Sequence, residues 1–365
     1  MGWRRTAAAI GTAAGFLFVF AGCAPQMNNN IIEEIAPVIF WSIDQGPEGT
    51  LKITTLVPPL GSEEKKMITL NVHLLKEGKK AFNRSHYREL KNGQLRMLLI
   101  SEEVARKGMR PIINTILADP DISMRLYLAV YRGDLIGYLQ KQIQREPYTD
   151  YFLYLKLKHY EKRSRGEITT TNLHQFMKKL YSPLSDPVMP VFQADENNFT
   201  YVGTGLFRKD KLVSVLNPTE EQMFQLLYEP HRLQELSLPA LSVNVSDVRA
   251  SSNWKVIRNR AIVIMNMELR CRIEEYHGNK NLLDPAQVTL LNQNIGDYME
   301  EQTASLLNKM QALQVDPLNI GALATGAFQK QIDRKDWQKE WPQMKFKIKY
   351  STFMEPLTNA LSETQ

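Results

Sequence analysis

A chain of 365 residues is longer than one ordinary hydrophobic core supports, and the length points to about two domains. With 43% hydrophobic and 23% charged residues and a mean hydropathy of −0.33, it is neither a disordered chain nor a multi-span membrane protein. The formal charge of +6 comes without any run of five basic residues, so nucleic acid is not expected as a partner, and weak attraction to an anionic membrane surface is the one electrostatic inference left.

The first 23 residues, MGWRRTAAAIGTAAGFLFVFAGC, are the most informative stretch. Arg4 and Arg5 make a short positive start, residues 6–20 are apolar or small and uncharged, and Ala21 and Gly22 lead into Cys23. This is the layout of an export signal. The apolar run is shorter than the roughly 18–20 residues a permanent membrane helix needs. Phe20-Ala21-Gly22-Cys23 resembles the lipobox of bacterial lipoproteins, with Phe20 where Leu is usual. That resemblance implies acylation of the Cys23 thiol and cleavage before it. Residues 1–22 are then a signal peptide, and residues 23–30, with Asn28, Asn29 and Asn30, a lipidated tether. Two acyl chains hold a protein on a bilayer far better than one, at about 0.8 kcal/mol per buried methylene.

Strand-length apolar runs follow at 38–43 (VIFWSI), 50–57 (TLKITTLV) and 67–75 (MITLNVHLL), three in succession, as in an antiparallel meander. Residues 78–90 have helical spacing, 95–100 (LRMLLI) reads as a buried strand, and Ser101 caps a helix running to about 118. Asp119-Pro120-Asp121 is a turn signal, 124–131 (MRLYLAVY) a strand, and helices rich in Tyr, Leu and Lys fill 134–180. After a short strand at 188–192, the polar break at 195–198 marks the expected domain boundary. Residues 201–213 read as a hairpin with a charged turn at 208–211, and a helix begins near Asn217. Residues 238–248 and 254–273 read as strands, 284–315 as a long helix with Pro285 in its first turn, 316–332 as a second helix, and 345–350 (KFKIKY) as a closing strand. The expected fold class is α+β, with mixed or antiparallel sheets flanked by helices. The expected domains are an N-terminal α/β domain at 31–195 and a C-terminal α+β domain at 196–365, the latter an antiparallel sheet with a long helix pair.

Chemistry-bearing patterns are scarce. The six histidines make no H-x-x-x-H or H-E-x-x-H, and there is no nucleophile elbow, phosphate-binding loop or dinucleotide fingerprint. No metal, cofactor or enzymatic activity is therefore expected. Gly203-Thr204-Gly205 sits in a hairpin strand, where close backbone approach between layers is the better reading than a phosphate cradle. Asp119 and Asp121 read as turn residues. Cys271 shares strand parity with Met265, Met267 and Leu269 and should face a core, with Arg270 and Arg272 turned to solvent. The apolar stripe on the long helix, including Leu291, Ile295, Met299, Leu306 and Met310, reads first as core-facing and second as a partner groove.

Several blocks in order resemble one family, the Ger(x)C spore germination lipoproteins, the C subunits of nutrient germinant receptors. They are the Cys23 anchor, the acidic-apolar segment 31–36 (IIEEIA), the helix 101–113 (SEEVARKGMRPII), Asp119-Pro120-Asp121 with the strand after it, 201–213 (YVGTGLFRKDKLV), Asp316-Pro317, and Trp337 with Trp341-Pro342. Ala24-Pro25 and 214–216 (SVL) stand where the family often has Trp-Asp and Gly-Trp-Leu. The resemblance implies a membrane-tethered, non-enzymatic protein on the outer face of the cytoplasmic, spore inner, membrane. It would act beside a polytopic A subunit and a transporter-like B subunit to start germination. Cys23 is the one site residue it carries over, and no small ligand is expected to bind this subunit directly. The alternative from the anchor alone is a solute-binding lipoprotein of a transporter, which would have two similar βαβ lobes joined by a hinge.

Overall fold

The computed structural model describes residues 32–61, 63–145, 149–163, 168–228, 232–325 and 332–355. By its contacts the chain divides after Ile35. The described part of the leading unit is a single 3-10 turn, Ile32–Glu34, and Ile35. Everything below belongs to the unit that begins at Ala36.

An eight-stranded sheet is built from β1 (Phe40–Gln45), β2 (Leu51–Val57), β3 (Lys66–Val72), β4 (Met97–Ser101), β5 (Tyr127–Gly133), β6 (Val188–Ala194), β7 (Phe199–Arg208) and β8 (Lys211–Val215), in the order β8-β7-β6-β5-β4-β1-β2-β3. The four central strands, β1, β4, β5 and β6, run parallel. The expected meander forms one wing, β1-β2-β3, and the expected hairpin β7-β8 forms the other. Central parallel strands are covered on both faces, so they read as unbroken apolar runs. Thus Leu98 and Ile100 of β4 enter one core with Phe82, Ile112 and Phe176, and Met97 and Leu99 enter another with Leu135, Leu139 and Leu157. The first core is closed by helices α1 (Leu75–Ser85), α2 (Glu102–Lys107), α3 (Arg110–Leu117) and α6 (Leu173–Leu180), the second by α4 (Leu135–Arg145) and α5 (Thr149–Arg163).

One helix was expected over 101–118, and two are found. Ser101 caps the first, its side chain accepting from the Val104 N–H. Gly108, at φ 130°, then leaves the helical region, and Pro111 restarts a helix in its first turn.

The smaller sheet has four strands: β9 (Leu233–Leu238), β10 (Val243–Ile257), β11 (Ile262–Tyr276) and β12 (Lys345–Glu355). Residues 254–273 are not the single strand expected. A turn at Arg258–Arg260, with Ala261 left-handed at φ 49°, folds them into the β10-β11 hairpin. The strand expected at 238–248 is likewise broken, by the turn Pro239–Leu241. The sheet is antiparallel over its first three strands, but β12 joins β11 in parallel, because the chain returns to the same end of the sheet through helix α8 (Pro285–Ala312). Asp284 caps α8 by accepting from the Ala286 N–H. The helix lays Leu291, Ile295, Met299, Leu306 and Met310 into one core with Val263, Met265, Met267, Leu269 and Ile273 of β11, so the stripe is core-facing. Its expected partner helix at 316–332 is, among the described residues, one turn, α9 (Ile320–Leu323). Helix α10 (Arg334–Glu340) precedes β12.

The polar turn at 195–198 joins β6 to β7, which are paired neighbours, so the large sheet runs across the position where a domain boundary was expected. The core under the small sheet crosses it too, taking in Leu184, Val188, Leu206 and Leu216 together with Met223 and Phe224 of α7 (Pro218–Tyr228).

Candidate functional site

Cys23 and the whole leader lie outside the described residues. Among the described residues no group of three or more His, Cys, Asp and Glu could hold a metal ion, and no helix is long and apolar enough to cross a membrane. Cys271 faces the core with Met265, Met267 and Leu269, and Arg270 and Arg272 point outward. Burial at 5% exposure pushes its thiol up to about 12. Asp119 and Asp121 form a turn in which Asp119 Oδ1 accepts from the Asp121 N–H at 3.1 Å.

The Gly203-Thr204-Gly205 block lies at a close approach. Gly203 has φ 154°, and a Cβ there would stand 2.5 Å from the Leu216 carbonyl oxygen. Beside it, the buried carboxylate of Glu221 on α7 is enclosed by donors. Tyr201 Oη donates to Oε1 at 2.6 Å, Gln225 Nε2 at 2.6 Å and Thr204 Oγ1 at 2.8 Å, and the Thr204 N–H donates to Oε2 at 2.7 Å. Gln225 also donates to Thr169 Oγ1 at 2.7 Å. Burial raises the Tyr201 phenol well above its ordinary value, with the Glu221 charge acting the same way. This knot fixes α7 to strand β7 of the large sheet. Every Glu221 oxygen already has partners, so the group is built to position, not to react.

A second knot joins residues far apart in sequence. The carboxylate of Asp186, just before β6, accepts from Arg334 Nη2 at 2.6 Å, from the Lys209 N–H in the β7-β8 turn at 3.1 Å and from the Asp316 N–H at 3.1 Å. Asp316 is 2% exposed and accepts from the N–H groups of Ile320 at 3.0 Å and Gly321 at 2.7 Å and from Trp337 Nε1 at 3.2 Å. Burial pushes its carboxyl up to about 7 against the lowering effect of those donors. Sequence reasoning read Asp316 only as a helix start and missed Asp186. The contact between them has no local signal, since the two residues lie 130 positions apart.

The outer face of the small sheet is basic. Lys345, Lys347 and Lys349 are exposed on edge strand β12, with Lys255 of β10 on the same face. Arg270 and Arg272 there are paired with Glu268 and Asp247. Lysines on an edge strand also discourage strand-to-strand association. The unit that begins at Ala36 thus presents two sheets that share a core, closed polar knots and a charged open sheet face.

Comparison with known proteins places the chain in a family. Residues 28–194 match the profile of the spore germination protein N-terminal domain, and residues 202–355 match the spore germination B3/GerAC-like C-terminal domain. The chain is 23% identical over 337 residues to spore germination protein GerQC of Bacillus cereus, covering 90% of this chain and 92% of that one. It is 21% identical over 301 residues to the putative spore germination protein YfkR of Bacillus subtilis (strain 168), covering 75% and 74%. The crystal structure of the GerBC protein shares the fold, with a TM-score of 0.50 at 12% identity, over 86% of this chain and 96% of that one. The chain belongs to the GerAC-type family of spore germination proteins.

Proposed function

We propose that this protein is the lipid-anchored C subunit of a spore nutrient germinant receptor. In this reading Cys23 carries the lipid, residues 23–30 tether the fold to the outer face of the cytoplasmic (spore inner) membrane, and the folded part works beside polytopic A and B subunits to trigger germination. The observation that carries it is the order along the chain: a leader with the layout of an export signal up to Cys23, followed by matches to both germination-protein domains in sequence. The closed polar knots and the absence of a nucleophile motif favour a structural and signalling role over catalysis. A solute-binding lipoprotein would need two similar lobes about a hinge, whereas the eight- and four-stranded sheets are unlike each other and share a core.

Deleting the gene and restoring it as wild type or as Cys23→Ala tests this. Deletion abolishes the response to one set of nutrients, leaves non-nutrient triggers intact, and is rescued by the wild type but poorly by Cys23→Ala. Unchanged germination in the deletion strain under every nutrient tried would contradict the proposal.

A further inference from the structure

Helix α1 buries Leu75, Gly78 and Phe82 against the large sheet. Its flank carries Lys76, Lys79, Lys80 and Asn83, three or four residues apart and so on one side of the helix. Across from that flank run the end of α3 and the turn at 118–122. Between them lies a cleft of about 390 Å³. Its apolar lining comes from Trp41 of β1, Leu75, Ile116 and Ile122, all buried. Its polar lining includes the three lysines, Asp119 and Asn92.

Two features set this cleft apart from a surface dent. Asn92 is only 2% exposed; its Nδ2 donates to Asp119 Oδ2 at 3.0 Å, and its Oδ1 has no partner. A buried acceptor without a donor is uncommon and calls for one. And Lys76, Lys79 and Lys80 line the cleft against a single carboxylate residue, Asp119, with no ion pair to any of the three lysines among the described residues. The larger cleft at Tyr127, about 520 Å³, lacks this character, because its buried hydroxyl is already bonded to Glu161.

We infer that this cleft binds a small organic anion, a carboxylate with an aromatic or aliphatic body. The body lies on Trp41, Leu75, Ile116 and Ile122, and the charge meets the lysines of α1. Pockets of this size, mostly apolar with a few convergent polar groups, are the usual form of small-molecule sites. The inference departs from the sequence expectation of a chain without a small ligand of its own. Residues spread from 41 to 122 build the cleft, and no spacing in the sequence announces it. It stands apart from the lipid anchor and the receptor partners, and neither depends on it.

Isothermal titration of indole-3-acetate and of hexanoate into the full chain tests it, with indole-3-acetamide as the uncharged comparison. Saturable binding of at least one carboxylate is expected, weakened by added salt and about 10-fold weaker for the amide. The double change Lys79→Ala/Lys80→Ala, on exposed and half-buried side chains that leave the core intact, should weaken binding by a similar ~10-fold. Thr115→Trp should fill the cleft and abolish binding, and Lys345→Ala/Lys347→Ala, on the small sheet, should leave it unchanged. The inference fails if neither carboxylate binds saturably below about 10 mM. It fails equally if Lys79→Ala/Lys80→Ala binds as the wild type does, or if the small-sheet variant loses binding to the same extent.

Discussion

Asp186 and Asp316 hold each other through two hydrogen bonds. The Asp186 N–H donates to the Asp316 carbonyl at 3.1 Å, and the Asp316 N–H donates to Asp186 Oδ2 at 3.1 Å. One residue leads into a central strand of the large sheet, and the other follows the long helix of the small-sheet layer. The pair is a clasp between the two regions that the family profiles treat separately.

Arg334 supplies the countercharge of this clasp, with Nη1 also donating to the Ser182 carbonyl at 3.1 Å. Arg334→Ala leaves Asp186 buried without its cation. A loss of roughly 2–4 kcal/mol in denaturant-unfolding stability is expected, as for breaking one side of a buried pair. A change below about 0.5 kcal/mol, the range of ordinary surface substitutions, would remove Arg334 from the clasp.

Asp316, whose carboxyl is buried beside the clasp, makes stability pH-dependent. Its carboxyl is held up at about 7, above the ordinary aspartate range, so the folded protein keeps a proton that the unfolded chain gives up between about pH 4 and 7. The unfolded state then binds fewer protons, and this group's contribution to stability falls as pH rises through that window, by at most about 4 kcal/mol. Urea unfolding at pH 5 and pH 8 should show this difference in the wild type and lose it in Asp316→Asn. The same pH difference in both proteins would rule the group out as its source.

Gly203 is constrained by both backbone angle and space. A methyl group at φ 154° meets the Leu216 carbonyl, and neither backbone can yield freely. Gly203→Ala should cost roughly 2–4 kcal/mol. Gly93→Ala, where a Cβ meets nothing within 4 Å, serves as the control and should change stability little. Equal stability of the two variants would contradict the close approach.

The Cys271 thiol, buried and held protonated, should resist alkylation in the native protein and react once it is unfolded. Cys271→Ser places a hydroxyl among Met265, Met267 and Leu269 and should cost about 1–3 kcal/mol. Rapid native labelling at neutral pH would contradict the burial.

What the sequence made legible was local. The meander shows in the alternation at 50–57, the start of α8 in Asp284-Pro285, and the burial of Cys271 in the parity of its strand. The hairpin turn at Arg258–Arg260 was not legible, because it uses no Gly or Pro and puts Ala261 into a left-handed conformation. The helix break at Gly108 hid behind apolar spacing that continues through it to Ile112 and Ile116. The Asp186–Asp316 clasp and the cleft at Trp41 depend on residues brought together only by the tertiary fold, and neither leaves a pattern along the chain.

The central claim is a GerAC-type protein tethered through Cys23. Mass spectrometry of the N-terminal peptide of the protein from spore inner membranes tests it most directly. The account predicts a chain that begins at Cys23 with a diacylated thiol and that disappears from the lipid-labelled fraction in Cys23→Ala. An unacylated chain that retains residues 1–22, or lipid label that persists in Cys23→Ala, would contradict it.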